Sequence, residues 1–374
     1  MVGIRNHVAV IPSVACANGV VAAIAREVPE VVPLQHGHGC GRGGDDLGLH
    51  FKTLANLARN PNVQAVLVVG LGCEVIKAEY LAERISHSGK PAEFFNIQDV
   101  GGSRRAAAKG ADIVHAMLAG AAKEKRETFP LQEVVLGLEC GGSDAFSGVT
   151  ANPSVGLAAD WLVGEGGTAI FSETTEMIGT SHILERRSKD AEVAREIATR
   201  IADAERRTHE ILGPFAAQVI APGNMDGGMS SIREKSLGCI LKGGSSTINE
   251  VVDYAEPPRE KGLVIMDGPG YDVESITGLA AAGCQLMIFT TGRGNPLGFP
   301  LLPVIKVAST SRLYRSMEDD MDINAGSVLE GKTLQDVAGE IEDLIMRVLN
   351  GEPTKAEINR QDGIVCLYTV TPAF

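Results

Sequence analysis

Aromatic side chains are scarce in this chain, 4% of 374 residues with a single Trp, while glycine is abundant at 44 residues. No Gly-X-Y period runs through those glycines, which excludes a collagen-like rod. The pattern fits an α/β protein rich in tight strand-to-helix turns. Basic residues are outnumbered: 34 Lys and Arg face 47 Asp and Glu, a formal net charge of -13. That excludes the extended basic surface that nucleic acid requires, though not a local positive pocket for a small anion. No apolar run approaches the ~20 residues of a membrane span, and the opening MVGIRNH has no apolar signal region. The seven cysteines are odd in number and follow no framework spacing, so reduced thiols in the cytoplasm are expected. No GxGxxG follows the first strand and no P-loop is present, which removes the usual dinucleotide and nucleotide-phosphate readings.

Hydrophobic runs alternate with helical patterns from the start. Apolar stretches at 7–14, 30–35, 65–72 and 93–97 read as strands. Helices are predicted over 17–27, from Asp45 and Asp46 as N-cap to about Arg59, over 74–89 and over 103–124. The charged stretch 121–131 reads as a linker, dividing a first α/β domain at 1–128 from a second, catalytic one at 129–374. There, strands are predicted at 133–142, 167–174, 262–270, 284–294 and 304–309. Helices are predicted at 153–165, 181–212, 273–282 and 333–350, a Gly-rich loop at 221–231, and a short strand near 364–370. The fold expected is α/β, two lobes with mostly parallel, Rossmann-like sheets and a site between them at the C-terminal strand edges.

Polar residues flanked by glycine recur after these strands, where backbone amides can approach a ligand closely. His36, His38 and Cys40 sit in HGHGC; imidazole and thiolate suit Zn, Fe and related ions, whereas the plain alternative is an exposed turn. Cys73-Glu74 and Cys140-Gly-Gly-Ser143-Asp144 end two buried strands, although a strand-end Cys is as often a small buried hydrophobe. Glu173 and Glu176 follow Ser172 after another strand and could serve as base or hard-metal ligand, or cap a helix. Asn224, Glu234, Lys235 and Ser236 lie in GNMDGGMSSIREKSLG; Lys235 could act as base or bind a carboxylate. Arg293, between two glycines, is placed to clamp a carboxylate. Asp322, Asn324 and Gly326 carry less weight.

The ordered series GIRNHVAVIPSVACAN, HGHGCGRGGDD, GLGCE, GLECGGSDAFSG, FSETTE, PGNMDGGMSSIREKSLG and TTGRGNP resembles the altronate/galactarate dehydratase family, which also includes the large chain of sulfolactate sulfo-lyase. The resemblance spans nearly the whole chain. It implies a lyase that removes water or sulfite from a small 2-hydroxy acid, such as sulfolactate or an aldonic or aldaric acid, with help from Fe²⁺ or Mn²⁺. Single-chain members carry an additional small N-terminal domain, and this sequence starts at the catalytic-like region. A small SAF-like partner subunit is therefore expected, with a homo-oligomeric assembly. On this reading His36, His38, Cys40, Glu74, Cys140 and Asp144 form the pool of metal ligands. Lys235, His38 and Glu173 are the catalytic candidates, and Arg293, Asn224, Ser143 and Ser236 bind substrate. Two alternatives remain: an iron–sulfur dehydratase using Cys40, Cys73 and Cys140, and a non-catalytic sugar-acid-binding protein.

Overall fold

In the computed structural model, residues 2–372 are described apart from Val219 and Asp362. The chain forms two α/β lobes, each around an entirely parallel sheet. The first lobe has four strands, β1 (His7–Pro12), β2 (Val32–Pro33), β3 (Val63–Gly70) and β4 (Ala92–Asn96), in the order β2-β1-β3-β4. Alternation along β1 and β3 divides their apolar residues between two faces. Val8, Val10, Leu67 and Val69 pack under the helices Asn18–Glu27 and Ser103–Ala121. Ala9, Ile11, Val66 and Val68 meet the helices Gly44–Ala58 and Ala78–Ser86.

The second lobe has seven strands, in the order β11-β10-β9-β5-β6-β8-β7. They are β5 (Val135–Cys140), β6 (Thr168–Phe171), β7 (Ile248–Val252), β8 (Gly262–Met266), β9 (Leu286–Thr291), β10 (Val304–Ala308) and β11 (Ile323–Asn324). Every residue of β6, β8, β9 and β10 is buried, as expected for a parallel sheet covered on both faces. From β5 the chain builds outward through β6, β7 and β8, then returns to the opposite side through β9, β10 and β11. The reversal lies between β5 and β9, and the crevice above such a point is where open α/β sheets bind ligands.

The lobes share one apolar core. Leu54 and Leu57 of the first-lobe helix pack with Tyr254, Ile276 and Leu279 of the second. Three asparagines stitch the same junction through buried amides. Asn56 donates to Ala255 O (2.8 Å), Asn60 to Ala280 O and Cys284 O (2.8 and 2.9 Å), and Asn62 to Gln285 O and Leu301 O (2.8 and 3.0 Å). The chain ends cross over as well: Ile4 belongs to the second-lobe core, while Val365 and Leu367 pack beside the first-lobe helix.

Several sequence expectations need correction. The predicted helix 181–212 is two helices, Ser181–Glu185 and Ala191–Leu212, because the Asp190 side chain accepts from Glu192 N and Val193 N and starts a new one. The helix expected from residue 74 begins at Ala78, since the Glu74 carboxylate accepts from Gly72 N and holds a turn. The 221–231 loop contains the short helix Pro222–Asp226 and leads into Ile232–Cys239, capped by Ser231. Gly43, not Asp45 or Asp46, is the N-cap of its helix. The tail near 364–370 pairs with no strand. Asp46 fixes it instead, accepting from Val370 N and Thr371 N. Strands β7 and β11 were not read in advance.

Asn62→Ala should destabilise the protein by roughly 1–3 kcal/mol, because four buried backbone groups lose their amide partner at once. Urea denaturation measures this, and an unchanged midpoint would show that the junction relaxes around the gap.

Candidate active site

The C-terminal edge of the second sheet carries a buried nest of charge. β5 ends at Cys140. After β6 the chain turns through Glu173, which has a left-handed backbone (φ 74°) uncommon for a non-glycine residue. The following 3₁₀ turn, Thr174–Met177, presents Glu176. Facing them, the helix Ile232–Cys239 and its 3₁₀ extension Ile240–Gly243 bring in Lys235, Cys239 and Lys242, spaced to share one helical face. Gly148 and Gly238 allow this approach, since a Cβ on Gly148 would lie 2.8 Å from the Gly238 Cα.

Lys242 is fully buried. Its ammonium is paired with Glu173 Oε2 and lies 3.2 Å from Cys140 Sγ and 3.0 Å from Cys239 Sγ. The two sulfurs are 3.4 Å apart, and Glu176 Oε2 is 3.6 Å from Cys140 Sγ. Glu176 also pairs with Lys235. Burial works against the charge of Lys242, but the sulfurs of Cys140 and Cys239 and the Glu173 carboxylate outweigh it and push its pKa well up. Burial, followed by the neighbouring Glu176, raises Glu173 to about 7 although Lys242 opposes the shift. Lys235 is also pushed up: burial alone would lower it, and Glu176 overcomes that. Lys235 therefore stays protonated at neutral pH, which suits an anion-binding or proton-donating group, whereas Glu173 is the better base. Cys140, Cys239, Glu173 and Glu176 offer ligand atoms within 4.8 Å of one another, but a metal ion among them would compete with the Lys242 ammonium for its own partners.

On the opposite side of β5, Glu139 is buried, accepts from Ser275 Oγ (2.6 Å) and leaves Oε1 unpartnered. Burial and then Glu173 push its pKa well up. Lys306 is buried on β10 with Nζ 3.3 Å from the centroid of the Phe289 ring, and burial lowers it to about 7 despite nearby Asp272.

The expected site residues are divided among separate places. Ser236 lies in the nest and Ser143 in the loop after β5; both are buried with hydroxyls that find no partner. Arg293, after β9, has an exposed side chain, and its backbone N–H donates to Gly142 O (2.7 Å). Asp144 is a bracket: one oxygen accepts from Ser147 N and Oγ, the other from Ser309 Oγ. A Cβ on Gly292 would come within 2.2 Å of that carboxylate, so glycine is required there. Asn224 caps its own turn and donates to Ser143 O (2.8 Å). Glu234 caps its helix through Ser230, Asp322 accepts from Lys306 N and Lys355 N, and Asn324 pairs with Ser311.

In the first lobe, Glu74 accepts from Ser13 Oγ (2.7 Å) and Gly72 N (2.6 Å), so both oxygens hold loops together. His36 spends both ring nitrogens, on Pro12 O (2.8 Å) and on His38 N (3.2 Å), and has none free for a metal. His38 is half-buried with Nδ1 unpartnered. Cys40 and Cys73 are exposed, while Cys140 is buried in the other lobe with Cys239, so the three thiols expected for an iron–sulfur cluster do not form a group. The six-residue ligand pool likewise does not converge as a whole.

Between the lobes lies a cavity of about 260 Å³, lined by Asp45, Leu49 and Lys52 of the first and by Arg207, Asp267 and Gly268 of the second. A larger cleft of about 620 Å³ runs along β7 and the helix Ala191–Leu212, but its lining is largely solvated surface charge.

Two family sequence profiles match this chain. D-galactarate/altronate dehydratase, C-terminal, covers residues 131–371, and D-galactarate dehydratase/altronate hydrolase, second domain, covers residues 1–122. The chain belongs to the D-galactarate/altronate dehydratase family. Altronate dehydratase of Bacillus subtilis is 36% identical over 369 residues, 96% of this chain and 73% of the relative. The (2R)-sulfolactate sulfo-lyase subunit beta of Chromohalobacter salexigens is 35% identical over 361 residues, 95% of this chain and 92% of the relative. Galactarate dehydratase (L-threo-forming) of Escherichia coli is 35% identical over 315 residues, 81% of this chain and 59% of the relative. This dehydratase-family chain is a lyase, and among the described residues no helix is long and apolar enough to cross a membrane.

Sequence reasoning missed Cys239, Lys242, Glu139, Asp272, Lys306 and His50. The spacing of Lys235, Cys239 and Lys242 in REKSLGCILKG was a usable signal once that segment is read as helix. Lys306, within VIKVA, was masked by its apolar neighbours.

Lys242→Met should destabilise the protein by about 3–5 kcal/mol, because it leaves a buried carboxylate without its cation. Adding Glu173→Gln should recover part of that loss. Chemical denaturation of the single and double variants measures the coupling, and strict additivity would contradict it.

Proposed function

We propose that this chain carries the catalytic machinery for β-elimination on a small 2-hydroxy acid, with water or sulfite as leaving group and a 2-keto acid as product. One observation carries the reading. Glu173, a buried carboxylate with a pKa of about 7, stands among two lysine ammonium groups at the C-terminal edge of the larger sheet. Such a base is partly ionised at neutral pH and still basic enough to accept the proton next to the substrate carboxylate. Negative charge then develops on the carboxylate end, where Lys235 and Lys242 oppose it. The bond to the β-substituent breaks, and the leaving group departs with the electron pair. Sulfite leaves as an anion; a departing hydroxide takes a proton, which protonated Lys235 can supply. The resulting enol isomerises to the keto acid.

The inter-lobe cavity, with Lys52 and Arg207 on its walls, suits a small anionic acid. The Fe²⁺ or Mn²⁺ that the family resemblance implies would, when bound, hold the acid's carboxylate and hydroxyl and stabilise the enediolate. The nest around Lys242 fits that ion poorly, because its acceptors are already matched by an ammonium. The unpartnered imidazoles of His38 and His50 fit it better. A small SAF-like partner and a homo-oligomer belong to the same reading. Its support is the relative named as a subunit, matched over 92% of its length.

The test is an anaerobic 2-keto-acid assay on sulfolactate, altronate and galactarate with added Fe²⁺ or Mn²⁺, with and without a small partner chain. Pyruvate plus sulfite from sulfolactate would assign the sulfo-lyase reaction, and a keto-deoxy sugar acid the dehydratase reaction. No product in any combination would overturn the proposal. Given turnover, kcat/KM should rise with pH through about 7 as Glu173 ionises. Glu173→Gln should lower kcat by roughly 10²–10⁴-fold and abolish that limb of the profile. Arg293→Ala should raise KM roughly 10–100-fold if its guanidinium clamps the carboxylate, and unchanged kinetics would remove it from the site.

A further inference from the structure

His50 is 1% exposed, yet neither of its ring nitrogens has a hydrogen-bond partner. A neutral imidazole carries one N–H donor and one acceptor lone pair. Leaving both dry inside a protein costs roughly 1–3 kcal/mol for each group, and a buried polar group in that condition calls for a ligand. The only ring stacked on it among the described residues is that of His38, with centroids 4.8 Å apart and planes at 64°. His38 Nδ1 is also buried and unpartnered.

The backbone presents these rings deliberately. His38 is fixed in its loop by two bonds: its carbonyl accepts from Ala15 N (2.9 Å) and its N–H donates to His36 Nδ1 (3.2 Å). His50 lies on the helix Gly44–Ala58, four residues after Asp46, so the two share a helical face. Asp46 is buried, and hydrogen bonds from Thr371 and Val370 hold its carboxyl below the usual range although burial opposes them. Both imidazoles are held neutral, His50 at about 4, by burial first. Each therefore offers a lone pair rather than a positive charge.

The geometry points to a binding site for one divalent transition-metal ion held by His38 and His50, with the Asp46 carboxylate at their side. Two imidazoles and a carboxylate suit Fe²⁺ and its neighbours and leave coordination positions open for an oxygen-donor ligand. Of the residues singled out as metal ligands in the sequence, only His38 belongs to this group. His36 is spent on Pro12 and on the His38 backbone, and Cys40 is exposed. The site gives the divalent ion of the lyase reading a place in the chain, but it stands on its own geometry and is read by occupancy, not turnover.

The test uses the full chain, stripped with a chelator and dialysed anaerobically against Mn²⁺ and separately against Fe²⁺, with bound metal measured by elemental analysis. The expected result is about one equivalent bound and a raised Tm. His50→Phe and His38→Phe should each weaken binding at least hundredfold and remove the metal-dependent rise in Tm. Because Phe removes the dry nitrogens, metal-free His50→Phe should be folded and at least as stable as the metal-free parent. Asp46→Asn should weaken binding about 10–100-fold. Cys239→Ser should bind metal as the parent does. The site is overturned if the parent binds neither ion, if both Phe variants bind as tightly as the parent, or if Cys239→Ser loses the metal. A failed keto-acid assay would leave a positive binding result standing, so the two proposals fail separately.

Discussion

A lysine ammonium with no access to water must be matched by negative or polarisable groups, and Lys242 imposes that demand on the whole second lobe. Glu173 answers it from the end of β6, Cys140 from the end of β5 and Cys239 from the helix that carries Lys242 itself. Glu173 accepts a left-handed backbone to reach it. Removing any member leaves another buried charge or thiol unmatched, so the nest is cooperative: strand ends, helix and 3₁₀ turn are held in one arrangement. The same crowding raises Glu173 toward neutrality, so the interaction that orders the site also prepares its chemistry.

The first lobe contributes through one helix, Gly44–Ala58. Its apolar side, with Leu54 and Leu57, completes a core that continues into the second lobe. Asp45, Leu49 and Lys52 line the inter-lobe cavity, and Asp46 fastens the C-terminal tail across the junction. One amphipathic element thus couples packing, chain-end anchoring and the wall of a cavity. The asparagine amides of Asn56, Asn60 and Asn62 then satisfy carbonyls that the junction would otherwise bury dry.

Much of this was legible beforehand. Runs such as AVLVVG and GLVIMDG announce buried parallel strands, and their Gly-flanked ends mark where side chains gather. The two-lobe α/β fold and Glu173, Lys235, Ser236 and Cys140 as members of one region follow from that. Other assignments did not hold in space. Glu74 and Asp144 look like ligands because they are acidic residues at strand ends, but neighbouring hydroxyls and amides claim their oxygens. Period and spacing do not reveal whether a lone pair is already spent.

The sequence by itself determined the α/β architecture, the edges at which polar groups collect and, through ordered motifs, the family. Those features are local, set by the alternation of side chains along a strand and the turns glycine permits. Only the tertiary structure decided which groups meet. Cys140 and Lys242 are separated by a hundred residues of chain and brought to 3.2 Å because β5 lies at the centre of its sheet and the helix with Lys242 folds back over its end. Burial, too, belongs to the assembled molecule. It made Glu173 a base near neutrality and stripped His50 of every partner, and no window of sequence contains the atoms that exclude the water.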